Sequence, residues 1–327
     1  MLLLKQIIFR IGYAIALLVA VVVLNFVLIH IAPGDIADTI AGDMGGATEE
    51  VMAQIRADYG LDKPFLFQLG VYLTNILQLD FGHSFFFNTS VLELIMERLP
   101  ATLLLVFTAQ IMAFLIGVVL GVISARNPNG ILSHFVTLFA LFGYSAPVFW
   151  TGIMLLIGFS LLLPLFPVAG MIDARLIDAP LWQQGINVLR HLFLPALTLA
   201  SIFLALYSRL CRASMLEVLG ADYIRTARAK GLNEREVIYK HALKNSLGPV
   251  VTLAGLQFSA VVSGAVLVET VFSWPGLGTL ALQSILARDT PTILGILFFS
   301  ALVVIVGNLL TDFILRVIDP RIRTGNN

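Results

Sequence analysis

Stretches of about 20 residues carrying at most one charge, the length that crosses a hydrocarbon core, recur along this chain and limit its fold more than any motif does. Such runs extend from Ile11 to Ile31, Thr102 to Ser124, Leu192 to Leu210, Val250 to Phe272 and Ile293 to Leu315. A soluble domain would carry about twice the 12% of charged residues present here, so the composition, 58% hydrophobic, is that of an integral membrane protein. The first run is too long for the apolar part of a signal peptide, and Ala32-Pro33-Gly34-Asp35 is a poor cleavage site, so it is read as a permanent span.

Ile131 to Leu163 is too long for one straight crossing and short for two; a single crossing bent near Gly143 to Pro147 is expected, with Pro147 as the kink. That choice gives an all-α protein of six transmembrane helices with both ends on one side. Of the 20 Lys and Arg, 14 then fall on the side holding Lys5, Arg126 and the stretch from Arg209 to Lys244, and 6 on the other, while Asp and Glu divide 6 to 14. Positive charge accumulates on cytoplasmic loops, so that side is expected to be the cytoplasm. The expected organisation is residues 1–32 as terminus and first span, 33–100 as a small extracytoplasmic region with a helix from Thr48 to Tyr59, and 101–327 as the core with a cytoplasmic loop at 212–249.

That loop holds the one long polar, basic stretch, from Leu216 to Pro249. Leu216, Leu219, Tyr223 and Ala227 recur at helical spacing, with Glu217, Arg225 and Arg228 directed elsewhere, which predicts an amphipathic helix. Gly231 suits the left-handed residue that ends a helix, and Lys230 suits the negative end of its dipole. A second helix is expected at once, with Asn233 as N-cap, Glu236 completing a capping box, and Leu232 with Val237 as a hydrophobic staple. A basic amphipathic helix can also lie on anionic lipid, and a helix-turn-helix can bind DNA. A surplus of only two positive charges, tethered between apolar runs, argues against nucleic acid.

The loop resembles the E-A-A-x-x-x-G-x9-I-x-L-P segment of the membrane subunits of binding-protein-dependent ABC importers, through Ala227, Gly231 and Leu243. Arg225, Thr226, His241 and Lys244 depart from that pattern, so contacts of the family's glutamate do not carry over to Arg225. The wording from Tyr223 to Leu232, and His241 to Asn245, is similar to the dipeptide, oligopeptide and nickel subgroup. Five further stretches stand in that subgroup's order: Asp35, Leu61 to Pro64, Gln68, Asp80 to Ser84 and Arg98 to Thr102. Val268 to Gly278 resembles another of its signatures.

The resemblance implies a permease subunit forming half of a path for dipeptides or oligopeptides, or for nickel or another small solute. The implied partners are a second similar permease, two ATPase subunits, an extracytoplasmic solute-binding protein and the bilayer of a bacterial inner membrane, and no nucleic acid. ATP and magnesium would sit in the ATPase subunits and no cofactor in this chain. The coupling residues implied are Tyr223, Arg225, Thr226, Ala227, Arg228, Lys230, Gly231 and Leu232, backed by Asn233, Glu236, His241, Leu243 and Asn245.

Other motifs carry no chemistry. There is no phosphate-binding G-x-x-x-x-G-K-[ST] sequence, so energy must come from a partner, and no catalytic residue is proposed. Gly276 to Ala281 fits G-x-G-x-x-[GA] but follows Trp274-Pro275 rather than a buried strand. Gly143 to Pro147 lacks the closing glycine of a nucleophile elbow, and five scattered histidines and one cysteine give no metal site. Glu269 is expected near the outer end of its span, snorkelling to the surface or lining the path, and Tyr144, Ser145, Pro147, Trp274 and Pro275 are the other path or outer-gate candidates. Trp150, Trp182 and Trp274 also suit interfacial anchoring, and Asp312 with Arg316 a local ion pair. An ATPase-independent channel is the rival from another class, disfavoured by the lack of a repeated filter motif.

Overall fold

The computed structural model describes residues 2–31, 48–58, 62–84 and 86–318. The chain is helical almost throughout: α1 (Leu2–Ile31), α2 (Glu49–Asp58), α3 (Phe65–Leu77), α4 (Val91–Arg126), α5 (Ile131–Ser145), α6 (Val148–Leu156), α7 (Leu181–Leu219), α8 (Asp222–Ala229), α9 (Glu234–Leu256), α10 (Phe258–Phe272), α11 (Leu277–Leu286) and α12 (Thr290–Ile318). A two-stranded hairpin pairs β1 (His83–Ser84) with β2 (Thr89–Ser90) in antiparallel register, His83 opposite Ser90. Two compact units result: residues 1–100 with 276–305, and 101–275 with 306–327. The first of these takes in 276–305 together with the N-terminal hundred residues.

In the first unit, Val22 of α1, Ile76 of α3, Val91 and Ile95 of α4, Leu277 and Leu280 of α11 and Phe298 and Phe299 of α12 form one buried cluster. Phe81 lays its ring 5.2 and 5.3 Å from those two phenylalanines. The hairpin is fastened beside this cluster by a buried carboxylate: Ser84 and Thr292 each donate a 2.6 Å hydrogen bond to Asp289. Ala32 to Asp35, Tyr59 and Leu61, which carry sequence expectations, lie outside the described residues, as do the side chains of Asp312 and Arg316.

The second unit is built around α7. Its 39 residues rise about 1.5 Å each, so it extends well beyond the roughly 30 Å a bilayer core requires. α5, α6, α9 and α10 pack against it. α4 crosses it closely because Gly117 and Gly121, four residues apart, leave no room for side chains: a Cβ would stand 2.9 Å from Tyr207 Cβ and 2.6 Å from Cys211 Cβ. Met215, in the part of α7 beyond the apolar run, is fully buried.

Two expected boundaries move, and three prolines lie inside helices. Pro100 lies inside α4, Pro195 inside α7 and Pro249 inside α9, although the first and last read as element ends. In an apolar medium no water competes for the backbone, so a helix persists through a proline that would end it in water. Conversely, Pro147 does more than kink: with extended backbone (φ −59°, ψ 135°) it separates α5 from α6, which confirms a break where the bend was expected. Among the described residues, α4, α7 and residues 290–311 of α12 are long and apolar enough to cross a membrane, and α9 with α10 makes a fourth such unit bent by 53°.

Candidate functional site

The polar stretch between α7 and α10 folds as two helices around a glycine turn, with limits that differ from the sequence reading. α7 continues to Leu219 and stops at Gly220, so Leu216 and Leu219 belong to it and α8 begins afresh at Asp222. The face of α8 that turns inward is Ile224 with Ala227. Tyr223, assigned to the apolar face, is 45% exposed instead. The i, i+3 spacing of Ile224 and Ala227 fits a short helix, and the leucines before Gly220 had lent the wrong phase. Arg225, Thr226, Arg228, Ala229 and Lys230 cover the outer face.

The turn is a complete Schellman closure. Gly231 adopts φ +80°, its N–H donates to Arg228 O at 2.9 Å, and the Leu232 N–H reaches Ala227 O at 3.3 Å. Asn233 then caps α9, its side-chain oxygen accepting from the Arg235 N–H at 3.0 Å. The capping box does not form. Glu236 turns to Lys240 Nζ, 2.7 Å away, rather than back to the Asn233 N–H, because a cation one turn ahead offers a charged donor. Of the staple, Val237 is fully buried and Leu232 partly so.

Two side-chain bridges join the helices, and neither was visible in sequence. Arg228 grips Glu234 with two hydrogen bonds, Nε to Oε2 at 3.1 Å and Nη2 to Oε1 at 2.8 Å. Asn245 Nδ2 donates to the Tyr223 hydroxyl at 3.1 Å and to His241 O at 2.9 Å. The Arg228 guanidinium holds the Glu234 carboxyl below the usual carboxylate range, with the charge of Arg126 adding a smaller push in the same direction. Lys240 likewise lowers Glu236. The only sequence signal for the first bridge is opposite charge flanking a glycine turn, six residues apart, a spacing outside the helical rules. Leu243 is partly buried, and α9 passes through it without interruption from a π-helical turn, Val237–Ala242, into the apolar run.

At the far end of α10 one of the two alternatives for Glu269 falls. It does not snorkel: it is fully buried and accepts a 2.6 Å hydrogen bond from Thr102 Oγ1 of α4. Trp274 is fully buried too, donating Nε1–H to Ala101 O at 2.8 Å, so it is no interfacial anchor; Trp150 and Trp182 are exposed. Ser273 closes α10 in the left-handed region at φ 50°, with the Trp274 N–H returning to Glu269 O at 2.8 Å. The non-local partner made the difference: Thr102 stands 167 residues away in sequence. Pro275 is partly buried beside this closure. Tyr144 and Ser145 end α5 and Pro147 opens α6, whose Gly152 lies against Val271 and Phe272 of α10. No group of three metal-ligating side chains occurs among the described residues.

Comparison with known proteins sets this arrangement in context. The family described as "Binding-protein-dependent transport system inner membrane component" matches residues 117–324, and its N-terminal companion family matches 3–106. This chain belongs to that family. It is 40% identical to the dipeptide transport system permease protein DppB of Escherichia coli K12, covering 96% of this chain and 97% of the relative. A putative peptide transport system permease protein of Brucella abortus is also 40% identical, over the same shares. DppB of Haemophilus influenzae is 40% identical over 96% of this chain and 98% of its own. An inward-facing structure of the MetNI methionine ABC transporter superposes with TM-score 0.54 at 18% identity, covering 69% of this chain and 96% of that one, which shows the fold. The expected family and fold class, an all-α membrane permease, are thereby borne out.

Proposed function

We propose that the chain is the permease subunit of an ATP-driven importer of dipeptides or short oligopeptides, and that α8 with the start of α9 receives the stroke of an ATPase subunit. The observation carrying this reading is mechanical. A helix pair closed by a left-handed glycine, a side-chain N-cap, a bidentate Arg228–Glu234 pair and a Tyr223–Asn245 bridge is stiff, and α9 runs from it directly into the apolar stretch. A helix that merely rested on lipid would need none of these closures.

In this reading Arg225, Thr226, Arg228 and Lys230 face the ATPase, while Ile224 and Ala227 anchor α8 to the permease body. ATP and magnesium are held by two ATPase subunits, a second permease completes the path, and an external binding protein delivers the solute. The chain crosses the bacterial inner membrane six times with both termini in the cytoplasm and residues 33–100 outside, as the charge sorting favours. Peptides are favoured as substrate by the names of the relatives at 40% identity.

The test is reconstitution of the full complex in liposomes with its binding protein and internal ATP. Uptake of a labelled dipeptide that requires ATP is the expected result. Uptake of nickel with exclusion of dipeptides would overturn the substrate, and solute flux without ATP or an ATPase subunit would overturn the importer in favour of a channel.

A further inference from the structure

A polar side chain in the middle of a long apolar helix is costly unless it is satisfied, so it marks a place where backbone or function needs it. Gln110 is such a residue, central in the 36 residues of α4. It reaches two other helices: Nε2 donates to Ala254 O of α9 at 2.9 Å and meets the Tyr207 hydroxyl of α7 at 3.1 Å. Ala254 lies in the last turn of α9, whose carbonyls begin to lose their intrahelical donors where the helix ends at Leu256. The side-chain amide of Gln110 thus supplies a donor where the backbone ladder is interrupted.

The interruption itself is abrupt. Gln257 alone separates α9 from α10, and the axes differ by 53°. No proline occupies residues 250–262, so the usual cause of a kink is missing and the bend is held by its surroundings. Those surroundings fit it closely. Gly255 lies against Thr311 of α12, whose side chain leaves no room for an added Cβ, and Gly307 of α12 lies under the ring of Phe258, which leaves none either. Two glycines therefore let α12 seat directly on both sides of the break.

We infer that residues 256–258 form the hinge at which motion of the coupling helices is converted into a change in the α9–α10 angle, and that Gln110 is a positioning residue that holds the bent state through Ala254 O. This rests on the importer reading above. α9 is one continuous lever from Glu234 to Leu256, so a push on α8 is transmitted to the break without loss in the loop. At the break, straightening would bring the backbone donor of the next turn to Ala254 O in place of the Gln110 amide. The two states thus exchange one hydrogen bond for another, which suits a small energy difference between them.

The experiment uses the assembled, reconstituted complex in a Cys211→Ser background, with pairs of spin labels on exposed positions. One pair, Lys244 and Leu267, spans the hinge; the control pair, Lys244 and Leu256, lies within α9 at about 18 Å along the axis. The expected result is a nucleotide-dependent change in the Lys244–Leu267 distance with a constant Lys244–Leu256 distance. Gln110→Glu, which keeps an acceptor for Tyr207 but loses the donor to Ala254, should populate the second distance without nucleotide and lower solute transported per ATP hydrolysed several-fold, while Tyr207→Phe should leave Lys244–Leu267 as in the wild type. ATP-driven uptake with an unchanged Lys244–Leu267 distance in every nucleotide state would overturn the hinge and leave the importer standing. A change confined to Lys244–Leu256 would move the flexible point into α9. Absence of any ATP-dependent uptake would instead remove the importer reading.

Discussion

Gly231 offers the cleanest quantitative perturbation because its surroundings isolate a single term. The residue sits at φ +80°, and a Cβ placed on it would meet nothing within 4 Å. Gly231→Ala therefore costs only what an L-residue loses in the left-handed region, about 1–2 kcal/mol, with no packing contribution of either sign. Local opening of the turn should become about 5–30-fold more frequent. The two amides that close it, Gly231 to Arg228 O and Leu232 to Ala227 O, report this directly by hydrogen exchange in the purified complex. Gly231→Asn, which tolerates the left-handed region better, should fall between Ala and wild type. Amides in the apolar part of α7 should not respond. Coupling should follow the same order, with solute moved per ATP lowest in Ala. Equal exchange at both amides in all three proteins would refute the claim that this closure sets the stiffness of the loop.

Three other perturbations follow from the packing. Gly255→Ala would drive a methyl into Thr311 of α12 and should cost about 1–3 kcal/mol of thermal stability in detergent, partly restored by Thr311→Ser; absence of rescue would mean the contact is not the cause. Thr102→Val and Glu269→Gln each disturb the same 2.6 Å hydrogen bond and should each cost about 1 kcal/mol, less than additively when combined, as a double-mutant cycle measures. The Arg228–Glu234 pair depresses the Glu234 carboxyl, so its contribution is present above the ordinary Glu value of about 4.3 and fades as pH falls through the lowered one. With both side chains about half exposed the pair is worth no more than about 0.5 kcal/mol, so the protection of α8 amides, exchange measured relative to an unstructured peptide at the same pH, should be flat from pH 6 to 8, fall slightly at high salt, and lose its acid response in Glu234→Gln.

What could be read from sequence was local. Gly231 and Asn233 were legible because each is the residue type that its backbone position demands, and the composition alone announces the membrane. Ile224 was missed because α8 has eight residues, too few to show its own period beside the leucines of α7. Pro100 and Pro249 misled because their stop signal is calibrated on water, and here the helix has no competing solvent. Glu269, Gln110 and Glu234 took meaning only from partners, Thr102, Ala254 and Arg228, that helical spacing cannot announce; for the first two the partner lies more than a hundred residues away.

The central claim, that α8 is the surface an ATPase subunit pushes, is tested most directly by cysteine crosslinking in the assembled complex. In a Cys211→Ser background, Arg225→Cys, at a position whose side chain is 73% exposed, should crosslink to the ATPase subunit with a yield that depends on nucleotide, whereas Ile224→Cys, buried against the permease body, should not. Failure of Arg225→Cys to crosslink in any nucleotide state, in a complex that still transports, would contradict the account.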